Sequence, residues 1–314
     1  MQFSFFSLFA YLGVLTVSFY FASLYEKYGK KSCLILTYLT LVCFCGFRFF
    51  VGNDYAGYVK HFSLISIYEE NVIFIEPGYY ALNLLFKWSP VGYFYVFFIA
   101  TALSYFFILR QLCYERILKW GIFSLVSLGC LIWMNDIIRQ GIAFSIFIYS
   151  LRYMKKGDFL SYFICVAIAC LFHYSAVVLL FFYFLRYLRL SSIVWILLII
   201  LTFVLQYAGI FRELLKSLIA MIPYYGAYAN KADQYFVTGS VVGIGLIYKQ
   251  LIAMCIALFY PKISNKFYAT LFLSGCVLDN IFLGTFIFER ISNYLVYTNI
   301  MVFPYFFKSV CSQR

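Results

Sequence analysis

Seven residues in this sequence combine charge or a titratable proton with an unusual setting: Arg48, Asp54, Glu76, Arg139, His173, Glu289 and Arg290. Arginine stays charged, and its planar fork of donors matches phosphate oxygens. Histidine takes and gives protons near neutral pH, and a carboxylate held near a hydroxyl can do the same. The inventory is therefore suited to holding a phosphorylated group while a proton is moved. Each of the seven lies just outside an apolar run or within its first turn. A charge near hydrocarbon costs about 2.5–3.5 kcal/mol on insertion scales and marks a site or a pathway more often than chance. The plainer alternative is that these are ordinary interfacial residues. A divalent metal would draw on Asp54, Glu69, Glu70 and Glu76 in one loop. Hard cations need several converging oxygens, and no DxD or EF-hand spacing is present. The sequence therefore reads as metal-free and cofactor-free, with arginines supplying the positive charge.

The elements that must position these residues follow from composition. Of 314 residues, 65% are apolar, 24% aromatic and 11% charged. Soluble domains are about half apolar and about a quarter charged. One soluble core could not hide this much apolar surface. The composition excludes a soluble, disordered or disulfide-stapled chain and leaves an all-α polytopic membrane protein. The ten cysteines are scattered, mostly inside apolar runs, and show no zinc spacing, so they read as small apolar side chains.

Eleven apolar runs are candidate transmembrane helices: Phe3–Leu24, Ser32–Phe47, Trp88–Leu109, Trp120–Met134, Ile137–Leu151, Phe159–Phe172, Ser175–Leu185, Ser191–Ile210, Val241–Tyr260, Phe267–Phe288 and Ile291–Phe307. The first has no basic stretch before it and no small-residue cleavage site, so it reads as a retained span. The net charge of +12 would point to nucleic acid in a soluble protein. Here it marks cytoplasmic loops, and no nucleic-acid partner is expected. With Lys27, Lys30 and Lys31 inside, alternation also puts inside Arg110, Arg116 and Lys119; Arg152, Lys155 and Lys156; Arg186 and Arg189; Lys262 and Lys266; and Lys308 and Arg314. That is fifteen of the 24 basic residues. The N-terminus is then outside and the C-terminus cytoplasmic. Phe159–Leu185 could instead be one long span with His173 at its centre, which would invert every later loop; a hairpin keeps the charge rule.

The whole chain, 1–314, reads as one membrane domain with two larger extracytoplasmic segments, 48–87 and 211–240. In the first, Gly52 permits a sharp backbone path, and Pro77 sits where a helix over Gly78–Trp88 would begin. The second starts amphipathic at Arg212, Glu213 and Lys216. It then carries Tyr224, Tyr225, Tyr228 and Tyr235, which could stack on sugar rings or form an interfacial belt.

Particular motifs resemble those of a known family. Arg48, the run Val51-Gly52-Asn53-Asp54-Tyr55 with Tyr58, and Glu76-Pro77-Gly78-Tyr79 with Leu82-Asn83 resemble the first outer loop of EpsG-like, Wzy-type polysaccharide polymerases. Arg139-Gln140 with Ala143 resembles that family's RQ motif, and Phe172-His173-Tyr174-Ser175 its FHxS motif. Arg290 with Tyr294 resembles the arginine before its last span. The resemblance runs from about Phe47 to Tyr294. One departure is Asn53, where the family often has threonine.

The resemblance implies a GT-C-like glycosyltransferase architecture in the bacterial inner membrane, with the active site facing outward. It implies that undecaprenyl-pyrophosphate-linked oligosaccharides serve as donor and acceptor, joined into O-antigen, capsule or exopolysaccharide. Membrane lipid and a chain-length regulator protein are implied as further partners. In such a reaction a sugar hydroxyl attacks an anomeric carbon as pyrophosphate leaves, through an oxocarbenium-like transition state. Arg48, Arg139 and Arg290 would hold the pyrophosphate, and His173, Asp54 or Glu76 would serve as base. The resemblance places Tyr55, Tyr58, Asn83, Gln140 and Tyr294 with the substrate-binding set.

Two charges stand apart. Lys249 and Asp279 each lie midway along an apolar run in adjacent antiparallel candidates, so they read as a structural ion pair. A proton or ion relay is the functional alternative and would favour a transporter. A lipid-linked oligosaccharide flippase and a membrane sugar acyltransferase are the competing activities. A carrier would be expected to show two-half symmetry, and no internal repeat is present.

Overall fold

The computed structural model describes residues 5–67, 75–220 and 244–311. Regular structure among them is helical throughout, with no β-strand. Glu69, Glu70, Tyr224, Tyr225, Tyr228 and Tyr235 lie outside the described residues. By its internal contacts the chain forms two compact units, Met1–Tyr183 and Phe184–Arg314.

In the first unit, Phe5–Tyr28 packs on Lys31–Gly46 and on Leu118–Ser127, and Gly92–Tyr114 packs on Lys31–Gly46 and on Ile138–Lys156. The last of these is the centre of the unit. It is buried without a break from Gln140 to Ile148, which matches its lack of a polar stripe. Two helices are long and apolar enough to cross a bilayer, Ser7–Tyr28 and Gly92–Tyr114. At 1.5 Å per residue each is a little over 30 Å, about the thickness of the hydrocarbon core. A third results if Leu118–Ser127 and Cys130–Asp136 count as one span bent by 61°. The sequence reads that stretch as one run, Trp120–Met134. Gly129 at φ 81° breaks it, because the left-handed region is cheap for glycine alone.

The stretch from Phe159 turns back on itself. The Asp158 carboxylate caps Phe159–Cys170 by accepting from Ser161 N–H. Beyond Leu171–His173 the chain returns through Tyr174–Val178, Leu179–Phe182 and Tyr183–Tyr187. Tyr162 donates its hydroxyl proton to the Leu179 carbonyl at 2.6 Å, and Tyr183 to the Gly157 carbonyl at 2.9 Å. One straight helix would put residues 159 and 183 about 36 Å apart; their rings are 5.0 Å apart. The chain therefore forms the hairpin, and His173 lies at its tip.

In the second unit, Lys266–Phe282 packs against Ser192–Tyr207, Ile244–Phe259 and Phe286–Val296. A Cβ on Gly275 would lie 2.6 Å from the Leu295 carbonyl carbon, so a small residue is required for this close approach. Ile210–Ala220 forms the start of the second polar segment. The sequence ends one apolar run at Phe288 and begins another at Ile291. The helices instead break at Gly284, φ 80°, and again at Tyr297–Thr298. Glu289 and Arg290 therefore lie inside the helix Phe286–Val296 and not in a connection. The reason is that a left-handed glycine stops a helix more firmly than a pair of charges does.

Candidate functional site

The helix Pro77–Leu84 begins with proline, whose missing N–H costs nothing at that position. Gly78 next donates its N–H to the Leu171 carbonyl at 2.7 Å, and a Cβ there would stand 2.8 Å from that oxygen. Only glycine lets the outer-loop helix seat on the hairpin tip. That seating carries Glu76, the residue before Pro77, to His173.

Glu76 uses both carboxylate oxygens. Oε1 lies 2.9 Å from His173 Nδ1, and Oε2 accepts from Arg139 Nη1 at 2.5 Å. Glu76 is 4% exposed and His173 8% exposed, whereas the Arg139 side chain is 21% exposed. The Arg139 guanidinium lies 5.9 Å from the Tyr58 ring centroid and 5.7 Å from that of Tyr79, a cation–π arrangement. Burial pushes the Glu76 carboxyl up, but the His173 hydrogen bond and the Arg139 charge outweigh it. The net effect holds it below its ordinary 4.5. Glu76 is thus an ionised hub that fixes a histidine and an arginine.

The remaining sequence candidates of this unit fall around that hub. Arg48 is 6% exposed, donates from Nη1 to Asn135 Oδ1 at 2.9 Å, and stacks over Phe97 at 5.1 Å. Tyr55 is buried between Phe50 and Phe97. Asn83 is buried and donates its amide to the Tyr79 carbonyl at 2.6 Å. Gln140 is buried beside Arg139 in sequence. Asp54 is exposed at the turn that starts the helix Tyr55–Ile67. The structure therefore brings Glu76, Arg139 and His173 together, with Tyr58 and Tyr79 against the arginine. Sequence reasoning named Tyr79 only as part of a motif, without a role, and passed over the pair Asn135-Asp136. The pair carries the same signal as Arg139: polar residues interrupting apolar sequence, three to four positions earlier.

A neutral His173 facing the ionised Glu76 through Nδ1 would carry its proton there and its lone pair on Nε2. Arg139 spends one prong on Glu76 and has others to offer an anion. The pair can take a proton from one group while stabilising negative charge on another. Among the described residues no three His, Cys, Asp or Glu side chains gather as a metal site.

In the second unit, Arg290 is exposed on the helix Phe286–Val296, and Tyr294, one turn on, is fully buried. Lys249 Nζ lies 3.0 Å from Asp279 Oδ2, and Ser292 donates to Asp279 Oδ1 at 3.0 Å. Beside them Gln250 donates to Asn280 Oδ1 at 2.6 Å, and Asn280 donates to Thr202 Oγ1 at 3.1 Å. Lys249→Met is expected to destabilise more than Asp279→Asn. It strands a carboxylate that is 4% exposed, whereas the Lys249 side chain is 40% exposed and its long stem lets the charge shift along the helix surface. The double variant should cost less than the sum by at least about 0.5 kcal/mol. Melting curves in detergent measure this cycle, and strict additivity would mean the pair contributes nothing as a pair.

Compared with known protein families, residues 31–314 match the EpsG family. No curated protein and no solved structure matches the chain.

Proposed function

This chain belongs to the EpsG family, and from that premise we propose that it polymerises lipid-linked oligosaccharide repeat units into a surface or exported polysaccharide. The donor is a growing glycan on undecaprenyl pyrophosphate, and the acceptor is a single lipid-linked repeat. The observation that carries this reading is Glu76 holding Arg139 and His173 on its two oxygens.

The acceptor hydroxyl oxygen attacks the anomeric carbon of the donor. The carbon–oxygen bond to pyrophosphate breaks, and its electron pair stays on the phosphate oxygen. The hydroxyl proton passes to His173 Nε2, and the imidazolium that forms is stabilised by Glu76 across Nδ1. Arg139 takes the developing charge on the pyrophosphate. Glu76 is therefore an orienting carboxylate and not the base, because both its oxygens are already engaged. Asp54, exposed and outside this hydrogen-bonded set, is not needed for proton transfer. For Arg290 a phosphate contact rests on its charge and exposure.

The site works on the extracytoplasmic side of a bacterial inner membrane, a placement supported by the fifteen basic residues assigned to cytoplasmic connections. Single cysteines should bear this out with an impermeant thiol reagent. Those near Asp54 label from outside, and those in 25–31 do not; outside labelling of 25–31 would sink the orientation. The activity itself is tested by deleting the gene and resolving the surface glycan on a gel. Loss of a polymerase leaves one repeat on the lipid anchor. Loss of a flippase exports none, and loss of an acyltransferase leaves full-length chains.

A further inference from the structure

The bent helix that ends at Asp136 holds the outer loop by its backbone. Asp136 Oδ1 accepts from Asn53 N–H at 3.0 Å. Gly52, at φ 105°, comes so close that a Cβ would stand 2.9 Å from that same oxygen and 3.2 Å from the Asn135 carbonyl. No other residue combines that backbone angle with that approach. Asn135 holds the start of the loop: its Oδ1 accepts from Arg48 Nη1 at 2.9 Å, and its Nδ2 lies 3.5 Å from Cys45 Sγ. Arg48 is buried over Phe97, and it and Asn135 line one small pocket. Both ends of the stretch 48–53 are thus tied to two adjacent side chains.

These ties lie close to the reacting groups along the chain. Three residues after Asp136, at the first turn of Ile138–Lys156, comes Arg139. Five residues after Asn53, one turn into Tyr55–Ile67, comes Tyr58, whose ring faces the Arg139 guanidinium at 5.9 Å. Asn53, Asp136, Arg139 and Tyr58 close a ring, so Asp136 sets the spacing between the helix that carries the arginine and the helix that carries the ring beneath it.

We propose that Asp136, with Asn135, is a positioning residue that clasps the loop backbone at Gly52–Asn53 and so fixes Arg139 over Tyr58 for the transfer. Arg48 belongs to the same device: it holds Asn135 and not the substrate. This rests on the polymerase reading for its effect on rate, but the clasp itself has an independent readout in the exchange of the Asn53 amide proton.

The test uses the full chain in nanodiscs, with hydrogen exchange over residues 52–58 and kcat and KM for lipid-linked repeat units. Asp136→Ala removes the acceptor. Exchange at Asn53 should rise at least about tenfold, and kcat should fall about 10–10²-fold, as expected for a misplaced catalytic group. Asp136→Asn keeps an amide oxygen that can accept the same bond; it should retain protection and stay within about threefold of native kcat, with an unchanged pH profile. Gly52→Ala, which crowds the clasp from the loop side, should reproduce Asp136→Ala and covers the case in which that variant does not fold. Native exchange and kcat in both Asp136→Ala and Gly52→Ala overturn the proposal. So does an Asp136→Asn protein that keeps Asn53 protected yet is as slow as Asp136→Ala, since the carboxylate charge would then be acting directly. If the native protein makes no polymer, the polymerase reading fails, and exchange at Asn53 alone decides the clasp.

Discussion

Arg139→Lys is expected to extend glycan chains about 10²–10³-fold more slowly than the native protein while remaining folded. The lysine can reach toward Glu76 and keep a positive charge, so the pair that anchors the outer loop survives in part. What goes is the fork. In the native protein one prong is spent on Glu76 Oε2 at 2.5 Å, and the guanidinium packs against the Tyr58 and Tyr79 rings. A point charge on a flexible stem has neither the second prong nor the plane. Purified protein, lipid-linked repeat units and a gel of product lengths give the rate, with a melting curve to show that the variant is folded. Native activity in the lysine protein would rule out a bidentate contact. The same substitution at Arg290 tests the second unit's arginine on its own terms.

His173→Gln should cost about 10²–10⁴ in rate, the range attributed to a positioned general base, and should also flatten the acid limb of the pH profile. The sign follows from the partners. Glu76 is held below its ordinary 4.5, so it stays ionised as pH falls toward that value. Its contribution to stability is present above about 4.5 and is lost only as pH drops through its lower folded value. If His173 is the base, activity lost on the acid side above that value is expected to come from Nε2 taking a proton from solvent, after which it can no longer take one from the acceptor. Glutamine can still donate toward Glu76, which keeps the hub assembled, but it cannot accept a proton. A His173→Gln protein with native rate and native profile would remove histidine from the mechanism.

The sequence made the site legible where a charge had no business beside hydrocarbon. Arg139, His173 and Glu76 were all visible on that ground, and Pro77 correctly marked a helix start. What stayed hidden was partnership. That Glu76 would face both Arg139 and His173 depends on Gly78 seating against Leu171, a backbone contact between residues 93 positions apart that no periodicity encodes. Arg48 looked like the other arginines, since a sequence does not show that one of them will be buried against an asparagine. Asn135 and Asp136 were overlooked because they end an apolar run, where polar residues are unremarkable. Helix boundaries failed for a related reason. Apolar content runs straight through Gly129 and Gly284, yet the positive φ of each glycine decides where the chain turns.

The seating of Gly78 on Leu171 also sets an order of events during synthesis. Glu76 and His173 are 97 positions apart, and Glu76 and Arg139 are 63 apart. At about 5–20 residues per second, the ribosome needs roughly 3–13 s after making Glu76 to reach Arg139, and about 5–20 s to reach His173. Until Arg139 is made the acid has neither partner and must stay in contact with water, and until His173 is made one of its two oxygens still has none. The outer-loop helix therefore waits at the membrane surface as an unfinished part. Its docking is complete only when the hairpin tip emerges, so a nascent chain halted before residue 139 presents an accessible, unpaired Glu76, the mark of an incomplete molecule.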